Sequence, residues 1–81
     1  MNHTIYKMKW CKTYPDHVIE EVYSIHLSPD TAKVFAESQK EKPTYPGFVP
    51  QDHLEIGEVN DEVYQYLLNS NGIWQGASSA G

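Results

Sequence analysis

The chain has no arginine, a single cysteine and no apolar run approaching the roughly 20 residues that a bilayer span needs. Each lack excludes something. Without arginine there is no planar guanidinium fork for gripping phosphates or carboxylates in two places at once. With only Cys11, an internal disulfide framework is impossible. Glycine-rich strand-to-helix turns are also missing, and with them the usual phosphate cradle. The first residues show no basic-then-apolar pattern of a secretory leader. The expected setting is therefore the cytoplasm, with no membrane partner.

What is present fits one small domain. Eighty-one residues with 40% hydrophobic and 12% aromatic content suffice for a single core. A domain of this size buries only about 60–65% of the surface its unfolded chain exposes, which leaves little room for a deep active site. Acidic residues outnumber basic ones by 11 to 6, for a formal charge of -5. That balance disfavours direct nucleic-acid binding, which calls for clustered lysine and arginine. Six tyrosines against two phenylalanines suit half-buried positions and interfaces, since the ring is apolar and the tip polar.

Residues 4–12 alternate, with Tyr6, Met8 and Trp10 on one face and Lys7 and Lys9 on the other. Pro15-Asp16 supplies turn chemistry. Residues 18–27 alternate again, with Ile19, Tyr23, Ile25 and Leu27 sharing a face opposite Glu20, Ser24 and His26. The pattern predicts a β-hairpin with lysines facing glutamates across it. Ser28-Pro29-Asp30 predicts a helix start, and Ala32, Phe35 and Ala36 a thin apolar stripe running to about Lys40. Residues 42–53, with three prolines and Gly47, read as a loop whose Tyr45, Phe48 and Val49 either wrap over the sheet or meet a partner. Residues 54–59 predict a third strand. Asn60 predicts the cap of a second helix, with Asp61 and Glu62 at its positive end and Val63, Tyr66 and Leu67 as its buried stripe. Gly72 predicts a left-handed helix stop. The expected fold is α+β: a β-β-α-β-α domain over residues 1–74, an antiparallel sheet with both helices packed on one face, and a disordered tail at 75–81.

No residue set assembles into recognisable chemistry. His3, His17, His26, His53 and Cys11 lack the paired short spacings of a zinc site. Cys11 lies mid-strand, away from any helix N-terminus that would activate its thiol. Glu20 and Glu21 point to opposite faces, so they do not form an acid–base pair. No catalytic, metal or cofactor residues are expected, and the chain is read as non-enzymatic. Binding to a protein remains. Aromatics in turns and loops favour it, because tyrosine and tryptophan dominate binding hot spots. The candidate contact residues are Tyr14, Tyr45, Phe48, Tyr64 and Trp74, flanked by Glu20, Glu58 and Glu62.

Pro46-Gly47, Pro50, Leu54-Glu55-Ile56, Asp61-Glu62-Val63-Tyr64 and Leu67-Leu68 together resemble a module of phage tail-fibre assembly and related phage tail proteins. The likeness covers residues 43–72. It departs after Gly72, where Ile73-Trp74 replaces the usual glycine-lysine continuation. The resemblance implies a phage or prophage origin, a protein partner and an assembly or adaptor role in a bacterial host, with no catalytic residues. Size and acidity suit an alternative: an inhibitor of a host defence or nucleic-acid enzyme, anti-CRISPR-like or DNA-mimicking. A mimic should line Glu20, Glu55, Glu58, Asp61 and Glu62 along one face.

Overall fold

The structure, a computed structural model, describes residues 1–75. The order is β1 (His3–Thr13), β2 (Ile19–His26), α1 (Pro29–Glu41), β3 (Val49–Val59), α2 (Asp61–Leu68) and β4 (Ile73–Gln75). The strands form one antiparallel sheet in the order β3-β1-β2-β4. The α+β class and the antiparallel sheet are as the sequence predicts. The sequence pattern misses β4, and with it the place of Gln75, which pairs with Tyr23 instead of opening a tail. The remainder of the expected tail, residues 76–81, lies outside the described residues.

The helices do not share a face. Register settles this, because residues directly opposite one another in a ladder point the same way. Met8 pairs with Ser24 and Trp10 with Val22. On that side Met8, Trp10 and Val22 pack with Ala32 and Phe35 of α1. Lys7 pairs with Ile25 on the other side, where Ile5 and Ile25 pack with Leu67 of α2. The short link from β3 into α2 carries the chain over the opposite side from α1. The expectation of both helices on one face fails because β2 buries residues on both of its faces, Ser24 and His26 on the α1 side and Ile25 on the α2 side.

Local chemistry fixes each element. Ser28 caps α1, and its hydroxyl accepts from the Thr31 amide while Thr31 reaches back to the Ser28 amide. This reciprocal box satisfies two amides that a helix start otherwise leaves free. Tyr45-Pro46-Gly47-Phe48 closes on a Phe48 amide to Tyr45 carbonyl bond of 3.2 Å, with Gly47 at φ 90°. A turn with proline second and a positive φ third needs glycine there. The turn brings the Tyr45 and Phe48 rings to 5.7 Å and folds both onto the α1 core. The loop is thus a lid on the core, and it ends at Phe48, where β3 begins five residues earlier than residues 54–59 predict.

Asn60 caps α2, accepting from the Val63 amide at 3.0 Å. The helix then ends at Leu68 and not at Gly72, and its cap residue Asn69 has an ordinary φ of -103°. Gly72 serves space instead of handedness. A Cβ there would sit 2.3 Å from Nδ1 of His26. The predicted stripe also shifts: Leu67 is buried and Val63 half-buried, but Tyr66 is 69% exposed.

Candidate protein-binding surface

The α1 face is closed over Met8, Trp10 and Val22, while Ile56 on the same side stays exposed. Trp74 meets Tyr45, Trp10 and Phe35 at centroid distances of 4.7, 5.1 and 5.2 Å, all edge to face. Such geometry places the positive edge of one ring against the negative face of another. Beneath them runs a polar chain. The Trp10 indole N–H donates to Ser24 Oγ at 2.8 Å, and Ser24 Oγ lies 2.8 Å from His26 Nε2. His26 Nδ1 lies 2.8 Å from the Asn71 carbonyl, which can only accept. Nδ1 therefore carries the proton, and Nε2 accepts from the Ser24 hydroxyl. Every group is satisfied with the ring neutral. Burial pushes the His26 pKa below its ordinary value, opposed in part by the Asn71 bond. A serine within reach of a histidine invites a nucleophile reading, but both residues have 0% exposure. No substrate reaches them, and their role is to pin the Asn71–Gly72 segment to β2.

The α2 face is only partly covered. Leu67 seals Ile5 and Ile25 at one end of the sheet. The rest is bare. β1 contributes Lys7, Lys9, Cys11 and Thr13; β2 contributes Tyr23, Glu21 and Ile19; β3 contributes Glu55, His53, Gln51 and Val49. Of these, all but Lys7, Tyr23 and Val49 line an open depression of about 450 Å³. Ile19 and Val49 are 57% and 59% exposed and flank Cys11 and Thr13. Tyr23 lies under the ammonium groups of Lys7 and Lys9, at 5.2 and 5.9 Å from its ring. Lys9 also lies 3.7 Å from Glu21, whose charge holds the Lys9 pKa above its ordinary value. Two lysines against Glu21 and Glu55 leave this face near neutral on a chain of net charge -5.

The eight residues expected to contact a partner do not come together. Tyr45, Phe48 and Trp74 are half-buried in the α1 core. Tyr14 and Glu20 sit beside the hairpin turn, where the Tyr14 hydroxyl donates to the Glu20 carboxylate and that bond raises the Tyr14 pKa. The Tyr14 ring also lies 5.0 Å from the Lys12 ammonium. Tyr64 stacks on His3 at 3.8 Å, and His3 reaches Asp61 at 2.8 Å, so this ring fastens the first strand to α2. Glu58 is exposed and accepts from Asn2 at 3.2 Å, and Glu62 is exposed in the first turn of α2. The residues that line the bare face, Ile19, Val49 and Tyr23 among them, escaped notice because each reads as an ordinary strand position. Only their register and exposure together show that no described residue covers them.

The carboxylates are likewise divided. Glu55 pairs with Lys7 and points to the α2 side, whereas Glu58 pairs with Thr4 and Glu20 with Lys12, both pointing to the α1 side. Such scatter does not imitate a row of phosphates. Among the described residues there is no cluster of histidine, cysteine and carboxylates able to hold a metal ion. No helix among them is long and apolar enough to cross a membrane. No family model, curated protein or solved structure matches this chain.

Proposed function

We propose that this chain is a small non-enzymatic protein-binding protein whose partner docks on the bare part of the α2 face. The observation that carries the reading is the exposure of Ile19 and Val49 around Cys11 and Thr13, on the face of the sheet opposite the main aromatic core. Apolar strand residues left in water on a sheet face suit a partner that removes them from it. Tyr23 and Lys9 border this patch and add an aromatic anchor and a polar rim. The near-neutral charge favours a protein contact over a phosphate-bearing one. The resemblance of residues 43–72 to the phage tail-assembly module supports an assembly or adaptor role, with a partner from the same machinery. A reduced lone thiol at Cys11 suits the cytoplasm of a bacterial host.

Site-specific photo-crosslinking tests this. A photoreactive residue at Glu21, on the bare face, is expected to trap one discrete partner in the source cell. The same residue at Val34, exposed on α1, is expected to trap none at comparable yield. Equal trapping from both positions contradicts the proposed surface.

A further inference from the structure

β3 is an edge strand of 11 residues, while the opposite edge, β4, has three. Beyond its ladder with β1, no backbone group from Leu54 to Val59 has a hydrogen-bond partner among the described residues. Proteins ordinarily blunt such an edge with proline, an irregularity or charged side chains, lysine above all, and Leu54–Val59 has only Glu55 and Glu58 of these. Here Pro50 and the break in register lie at the other end of the strand, and β3 contains no lysine. Leu54–Val59 is regular and open. It also carries Ile56, which is 72% exposed, more than any other large apolar side chain except Met1. α1 packs on β1 and β2, and Leu67 of α2 on Ile5 and Ile25, so neither helix blocks the edge.

From this we infer that the β3 edge pairs with the same edge of a second copy, antiparallel, about a two-fold axis through Ile56. Complementarity selects a second copy and this register. Ile56 then opposes Ile56 of the second copy, Leu54 opposes the aliphatic stem of Glu58, and Glu55 opposes Gly57. No carboxylate faces a carboxylate directly, and an exposed apolar side chain is matched by its twin. An axis through Glu55 or Glu58 would set that glutamate against its own copy, which is destabilising. The contact is self-complementary and closes as a dimer with one continuous sheet across both chains. Each chain carries a net charge of -5, so the dimer tightens as salt screens the repulsion.

Analytical ultracentrifugation over rising concentration, at low and high salt, tests the pairing. The expected result is a concentration-dependent shift from the 9.3 kDa monomer to twice that mass, favoured by salt. Ile56→Lys is expected to weaken the dimer by about tenfold or more, a difference of about 1.4 kcal/mol. Val34→Lys on α1 is expected to leave it unchanged. Amide exchange on the unaltered chain gives a second reading that needs no variant: protection within Leu54–Val59 should rise with concentration. A chain that stays monomeric throughout, a dimer that Ile56→Lys does not weaken, or exchange in Leu54–Val59 independent of concentration each overturns the inference.

Discussion

The two faces of the sheet are built from different material. The α1 face is aromatic and continuous: Trp10, Phe35, Trp74, Tyr45 and Phe48 contact one another from β1, α1, β4 and the loop before β3. The α2 face is aliphatic and short. Its buried cluster is Ile5, Ile25 and Leu67, under a helix of eight residues. A large interlocked core fixes the fold, and that frees most of the other face from packing. The difference shows how an 81-residue chain can leave several strand side chains uncovered and still hold its shape.

The largest expected effect is Phe35→Ala. Phe35 is buried against Trp10, His26 and Trp74, from three separate elements, so the void cannot close by moving one of them. Loss of the ring should cost roughly 3–5 kcal/mol in urea denaturation. Leu67→Ala should cost less, roughly 2–3 kcal/mol, because a short helix with solvent on one side can settle into the space. Equal losses at the two positions would break the comparison.

Gly72→Ala comes next, at about 1–3 kcal/mol. The new methyl must displace the His26 ring or the Ile25 carbonyl, 3.1 Å away. A variant of unchanged stability would show that Gly72 is not held against the ring.

A pH titration of stability tests the same pin. The folded pKa of His26 is lowered by burial below its ordinary value of 6.5. The unfolded chain therefore binds the proton first. The contribution of His26 is complete above pH 6.5 and is lost as pH falls toward and through the folded value. The slope approaches about 1.4 kcal/mol per pH unit for one proton. Protonation also ends the role of Nε2 as acceptor from Ser24, and among the described residues no carboxylate bonds to the ring to hold the charge. His26→Gln should flatten this limb, and a limb that survives the substitution would assign it to other groups.

How much of this was legible beforehand depended on range. Caps and turns are local, so Ser28 and Asn60 read as helix caps and Pro15-Asp16 as a turn. The hairpin strands followed from alternation. Burial of Ser24 and His26 did not, since their polarity argued for solvent; their partners, Trp10 and the Asn71 carbonyl, lie 14 and 45 residues away. Gly72 read as a helix stop because a glycine after a helix usually is one, and only the His26 ring gives it another reason. β4 has three residues, too few for a period to show. The side on which each helix lands is a matter of chain crossing, which alternation does not encode. The aromatic residues drew attention as contact candidates for a sound reason, yet tyrosine serves equally at a half-buried core position. The bare face carried no distinctive residue type, so it became visible only through register.

The most direct test of the account uses a paired substitution on the bare face, Ile19→Glu with Val49→Glu, in a chain whose partner has been trapped from Glu21. Both side chains are more than half exposed, so stability should change by no more than about 0.5 kcal/mol. Affinity for the trapped partner, measured by titration calorimetry, should fall by more than about tenfold. Unaltered affinity in a stably folded double variant would contradict the claim that the uncovered half of the sheet is the binding surface.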